Sequence, residues 1–181
     1  MPLTIVVPGG ELFDPATSEF IETKETKLTL EHSLLSISKW EAKWHKPYLS
    51  REEKTAEEAV DYIRCMTLNG PIDPNVYKVL SRENVDEITK YMNDPMTATT
   101  FKRENKKASR EIITNEIIYY WMTALNIPFD PCQKWHLSRL MTLIEVCSLK
   151  QQPPKKMSKA DTLKRNHALN AQRRAMHHTR G

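Results

Sequence analysis

The sequence predicts a mainly α-helical protein with a small N-terminal antiparallel β-meander, an α+β arrangement, and a basic C-terminal arm that is partly helical. Three observations carry this. Short runs with strand character are confined to the first thirty residues. Capped amphipathic segments fill the middle of the chain. Positive charge collects at the end: from Lys150 to Gly181 nine Lys or Arg stand against one acid, Asp161. The other 149 residues hold 18 Lys or Arg and 22 Asp or Glu, so a body of −4 carries an arm of +8. Gln151-Gln152-Pro153-Pro154 divides the two, a break that no helix crosses easily. The expected organisation is a β-meander over 1–30, a helical body over 31–151 and the basic arm over 152–181.

The elements follow in order. Leu3, Ile5 and Val7 alternate with other residues over 3–8, the pattern of a strand, and Pro8-Gly9-Gly10 turns the chain. Residues 11–13 and 19–22 flank Asp14-Pro15-Ala16-Thr17-Ser18, a hairpin-loop composition. Residues 27–30 add a strand. A sheet this small needs a helix or another chain over its apolar face.

Ser33 caps a predicted helix running to about His45, with Leu34, Ile37, Trp40 and Trp44 in one row and Pro47 as the stop. Thr55 and Glu58 form a capping box for a helix through about Leu68, with Ala59, Ile63 and Met66 on one face. Asp73-Pro74 opens a short helix to Leu80. Ser81 caps the next, with Val85, Ile88 and Met92 on its stripe. Residues 102–107 read as a charged loop. The strongest helix spans 109–125, where Ile112, Ile113, Ile117, Ile118, Tyr120, Trp121 and Leu125 cover most of the circumference, the mark of a central helix. A helix over 131–149 follows after a short connection, which predicts an antiparallel pair. Ile113, Ile117, Trp121, Leu137, Leu140 and Ile144 are the expected core of that pair. In the arm, Ser158 and Asp161 resemble a capping pair, and residues 160–175 are good helix formers with few large apolar side chains. Such a segment is a helix formed mainly when docked, or a partly ordered tail.

Several function classes are disfavoured. Four glycines leave no phosphate-cradling loop. The N-terminal residues are too short and uncharged for a signal peptide, and no apolar run is long enough to span a membrane. Three cysteines without paired spacing read as free thiols. Cys132 and His136 lie one helical turn apart, but a structural zinc site needs two more ligands and no matching motif supplies them. Trp40 and Trp44, beside Lys43, His45 and Lys46, read as core packing rather than a nucleic-acid platform. Lys134-Trp135-His136 offers a histidine with no nucleophile in a recognisable context. No catalytic signature is present, so no catalytic, cofactor or metal residue is expected, and binding or assembly is the stronger expectation. The arm is the functional signal: Lys155, Lys156, Lys159, Lys164, Arg165, Arg173 and Arg174 are the candidate partner-binding residues. No aromatic residue occurs from Lys150 onward, so base stacking is not available there, and nucleic acid is not the expected partner.

Specific strings carry a family resemblance. Leu30 to Pro47 (LEHSLLSISKWEAKWHKP), Tyr62 to Thr67 (YIRCMT) and Pro95 to Ala98 (PMTA) resemble stretches of long-tailed bacteriophage proteins. So do Arg110 to Thr114 (REIIT), Ile118 to Met122 (IYYWM), Ala124 to Phe129 (ALNIPF) and Gln133 to Leu137 (QKWHL). Pro153 to Ser158 (PPKKMS) and Leu169 to Ala171 (LNA) complete the series. The chain resembles the tail assembly chaperones of siphophage-type viruses, encoded beside the tape-measure protein. The resemblance implies a non-enzymatic assembly factor of the host cytoplasm, without cofactor or membrane. Proteins of this kind coat the helical, aggregation-prone tape-measure protein and help recruit tail tube protein, so these are the partners the resemblance implies; self-association is expected besides, since the arm can reach a neighbouring copy, the client or the tube subunit. A structural neck or tail component of the virion and a nucleic-acid-binding accessory protein are the alternatives.

Overall fold

The computed structural model describes residues 1–14, 18–101, 111–152 and 159–177. It divides into two compact units, Met1–Ser148 and Leu149–Gly181. The fold is mainly helical with a small N-terminal antiparallel β region.

Four strands begin the first unit: β1 (Leu3–Val7), β2 (Gly10–Asp14), β3 (Glu19–Thr23) and β4 (Thr26–Leu30). They do not form a meander. β1 pairs with β4 and β2 with β3, so one hairpin is nested inside another as two separate two-stranded sheets. The reason is burial. Ile5 lies opposite Leu28 and Leu3 opposite Leu30, and Ile5, Val7, Leu28 and Leu30 are all buried. Pairing β1 with β4 therefore places one continuous apolar face on the core, which β2 and β3 could not supply. Gly9 allows the nesting, because a Cβ there would come within 2.7 Å of the Thr23 carbonyl oxygen. The outer edge of β4 is covered by the chain after the second helix: Leu68 N–H donates to the Thr29 carbonyl at 2.8 Å, and Glu31 N–H to the Met66 carbonyl at 2.9 Å.

Helix α1 (Leu34–Trp44) starts at Ser33, whose hydroxyl accepts from Ser36 N–H. Leu34, Ile37 and Trp40 are buried, and Trp40 Nε1 donates to the Glu58 carbonyl at 2.9 Å. Helix α2 (Ala56–Met66) opens on the predicted capping box of Thr55 and Glu58 and packs along α1. Its buried apolar face is Tyr62, Ile63 and Met66, while Ala59, expected there, is exposed. A 3-10 turn over Pro74–Lys78 follows and lies against α2 and β3. Helix α3 (Arg82–Met92), capped by Ser81 and Asn84, covers β1, and Asn84 Nδ2 donates to the Val6 carbonyl. Ile88 and Tyr91 face the core, whereas Val85 turns outward.

The largest departure from the sequence reading concerns the fourth helix. It does not begin at 109: residues 111–114 are non-helical, residues 102–110 lie outside those described, and α4 spans Asn115–Ala124. Thr114 makes no side-chain cap. Instead Glu41, on α1, accepts from Asn115 N–H at 2.9 Å. A carboxylate at a helix N-terminus is favourable in charge and in hydrogen bonding, and it fixes where the helix starts. Nor is α4 central. It lies against α1, and of its large apolar residues only Ile118 and Met122 are buried. Ile113, Ile117 and Trp121 are half-buried, and Ile112 and Tyr120 are exposed. A single-turn helix α5 (Phe129–Cys132) precedes α6 (Leu137–Gln151), which buries Leu137, Leu140 and Ile144 as expected.

In the second unit, α7 (Lys159–His177) is a helix of 19 residues with none buried.

Two outcomes are expected. Trp40→Ala should cost about 3–5 kcal/mol in a denaturant melt, as truncation of a large core side chain does, and Trp121→Ala clearly less. A chain ending at Gln151 should keep a cooperative melting transition, since α7 adds no buried side chain; loss of that transition would make the arm part of the fold.

Candidate protein-binding surfaces

Chemistry-bearing side chains converge in one buried place. Gly-free backbone between β4 and α1 puts His32 beside His136, which opens α6, with ring centroids 5.2 Å apart. His32 Nδ1 lies 2.5 Å from the Tyr62 hydroxyl, and Tyr62 stacks on Tyr48 at 3.8 Å. His136 Nε2–H donates to the Tyr91 carbonyl at 3.1 Å, and His136 Nδ1 accepts from Ser138 N–H at 3.3 Å. A carbonyl can only accept and an amide N–H only donate, so His136 is the neutral Nε2–H tautomer. Tyr91 O–H donates to Glu31 at 2.6 Å.

The electrostatics suit packing rather than proton transfer. Burial, assisted by the neighbouring His136, pushes His32 down to about 4. Burial also lowers His136, partly offset by its bond to the Tyr91 carbonyl. Burial raises Tyr48, Tyr62 and Tyr91, so all three phenols stay protonated. His32 is thus far from the neutral range where a general base works best, and His136 is shifted in the same direction. Both ring nitrogens of His136 are engaged, which leaves none for a metal shared with Cys132. Among the described residues no group of three or more His, Cys, Asp or Glu could hold a metal ion. The three cysteines are free thiols.

A second polar cluster joins α1 to α2. Lys43 and Trp44 both donate to Asp61, at 2.5 and 2.9 Å. Lys46 pairs with Glu58 at 2.5 Å and Thr55 N–H caps the same carboxylate at 2.8 Å; these bonds, Lys46 first, hold the Glu58 carboxyl below its usual range. The tryptophan–lysine motif is thus core packing with the lysines reaching acids on α2, and Lys54 lies over the Tyr48 and Trp40 rings. A cleft of about 340 Å³ opens beside Glu41, His45 and Asn115, but both Glu41 oxygens are already bound, to Tyr48 N–H and Asn115 N–H.

What remains is surface. Of the sequence-predicted partner-binding residues, Lys159, Lys164, Arg165, Arg173 and Arg174 are exposed on α7 with Leu163, Leu169 and Met176, while Lys155 and Lys156 lie outside the described residues. Two apolar surfaces are exposed as well. One surrounds α4, where Ile112 and Tyr120 are exposed, and Phe129, edge-on to Tyr119 at 5.1 Å, is exposed too. The other is the Phe13–Phe20 pair on the β2–β3 hairpin. Strand alternation marks the second, since Phe13 and Phe20 each lie out of phase with the neighbouring apolar residue. Among the described residues no helix is long and apolar enough to cross a membrane.

The histidine pair predicts acid sensitivity. His32 binds a proton near 6.5 when unfolded and only near 4 when folded, so the unfolded state takes up more protons between those values and stability falls as pH drops through that window. By pH ~5 the loss is about 2 kcal/mol from this one group. Urea melts at neutral and acid pH should show it, and His32→Gln, although less stable at pH 7, should flatten the slope. An unchanged slope in the variant would assign the acid sensitivity elsewhere.

Compared with protein-family models, with curated proteins and with solved structures, the chain matches none.

Proposed function

We propose that this chain is a non-catalytic tail assembly chaperone of a long-tailed bacteriophage, acting in the host cytoplasm. In this reading it binds the elongated tape-measure protein and helps recruit tail tube protein. The observation that carries the reading, beside the sequence resemblance, is the uncovered apolar surface of α4. Ile112, Tyr120 and Phe129 are exposed, and Ile117 and Trp121 only half-buried, around a helix whose inner face is already fixed to α1. A helical client with an apolar stripe would bury these side chains in a helix-on-helix contact. The driving force would be apolar burial, which salt does not screen.

The basic helix α7 favours the alternative of a nucleic-acid-binding accessory protein, because a cationic helix binds any polyanion at low salt. The two differ in salt response and in the surface used. The test is co-expression with a tape-measure fragment, pull-down across roughly 50–300 mM salt, and a parallel duplex-DNA titration, a range wide enough to expose counterion release. Capture of the fragment should persist across the range, and Tyr120→Ser with Phe129→Ser should weaken it at least about tenfold, each having lost a buried aromatic contact. DNA binding should be weak, sequence-independent and lost with salt. Tight, sequence-dependent DNA binding with no capture of the fragment would overturn the chaperone reading. A protein retained in purified virions would point instead to a neck or tail component.

A further inference from the structure

The β2–β3 hairpin presents a sheet face that nothing in its own unit covers. Phe13 and Phe20 are directly opposite each other in the ladder, their rings 5.2 Å apart and tilted by 57°. They are 51% and 70% exposed. Alternation places Glu11 and Glu22 on the same face, two residues along each strand and again directly opposite. Both are exposed, and neither forms an ion pair among the described residues. Like charges facing each other across a ladder cost stability, as do two exposed phenylalanines. A cationic amphipathic partner would relieve both.

The chain's own charge distribution says what that partner is. Residues 1–23 contain four acids and no Lys or Arg. Residues 24–149 contain eighteen acids and eighteen Lys or Arg, so they are neutral. The whole acidic excess of the body therefore lies in the hairpin region, and the whole basic excess lies beyond residue 149. Helix α7 has the matching pattern. Arg165, Leu169, Arg173 and Met176 follow at spacings of four, four and three, which puts two guanidinium groups and two apolar side chains along one face. Two phenylalanines and two glutamates on the hairpin match, in kind and number, two apolar groups and two arginines on the helix. Arginine can stack on a phenylalanine ring and bind a carboxylate with the same planar group. A lone helix with no buried side chain is marginal in water, so α7 also gains most from being docked.

We propose that the Phe13–Phe20 face of the hairpin receives α7 of a second copy of this chain, so that copies join head to tail. The two surfaces of the contact differ, so in a pair joined by one such contact one copy keeps a free hairpin and the other a free helix, and further copies add until the arrangement closes on itself. The contact uses none of the α4 residues, so it stands whether or not the chaperone reading does.

Sedimentation velocity of the full chain tests it. At roughly 50 mM salt, where surface charges are little screened, the weight-average size should rise with concentration, and it should fall at roughly 300 mM. Glu11→Lys with Glu22→Lys should weaken association by about tenfold or more, as should Arg165→Glu with Arg173→Glu, each reversing two charge-assisted contacts. Mixing these two double variants should restore association, because each then meets its opposite charge. Lys164→Glu with Arg174→Glu changes the charge equally but on the other side of α7, and should have little effect. All six positions are exposed, and an unchanged melting transition confirms that each variant folds. A chain that stays monomeric at every concentration at low salt would overturn the proposal. Equal loss from the two helix variants, or none from the hairpin variant, would overturn it as well.

Discussion

The buried carboxylate of Glu41 is the constraint on which the body of this protein depends. It projects from α1 and accepts from two backbone N–H groups, Tyr48 at 2.7 Å and Asn115 at 2.9 Å. One side chain thereby fixes the turn after α1 and the first turn of α4. A buried charge is tolerated only where its oxygens are satisfied, and here each oxygen accepts from a backbone N–H. The same logic repeats along α1. Trp40 binds the Glu58 carbonyl, and Lys43 and Trp44 bind Asp61. Helix α1 is therefore held to α2 on one side and to α4 on another by polar bonds that also set register, while Leu34, Ile37 and Trp40 supply the apolar burial.

The histidine–tyrosine cluster closes the other end of α1. The His32 carbonyl accepts from Leu137 N–H at 2.7 Å, so the chain entering α1 and the start of α6 are joined through backbone as well as through the two imidazoles. Among the described residues no buried side-chain nitrogen or oxygen lacks a hydrogen-bond partner. That completeness matters for the exposed apolar groups. The described fold leaves no buried side-chain polar atom unpaired while Phe13, Phe20, Ile112 and Tyr120 stay exposed, so exposure of these four is not the cost of satisfying a buried polar group. They are surplus to the fold, which is what a binding surface looks like before its partner arrives.

Sequence reasoning reached the local signals and missed the distant ones. Ser33, the Thr55–Glu58 box and Ser81 each cap a helix where their spacing said they would, because a cap is decided within four residues. The extent of α4 was not legible, because its cap is a glutamate 74 positions earlier in the chain. Its circumference of isoleucine and tyrosine implied a central helix, yet apolar residues on a surface helix read the same way when the exposed half serves a partner. The strand positions were legible and their pairing was not: nesting follows from which strands share an apolar face against the core, a fact of tertiary burial. The basic arm was visible from composition alone, but the hairpin that matches it was hidden while the body's −4 was treated as one sum.

The two uncovered surfaces obey different physics, and this separates the roles they can play. Around α4 the contacts on offer are apolar, so they strengthen with area and ignore ionic strength. On the hairpin and on α7 they are charged at both ends of the chain, so they steer encounters and weaken with salt. Were the chain to hold an apolar client and also gather copies of itself, as proposed, the two contacts would draw on different residues and different forces. The net neutrality of residues 24–149 leaves the acidic excess of the body in its first 23 residues, so the proposed contact for α7 is the one that net charge favours.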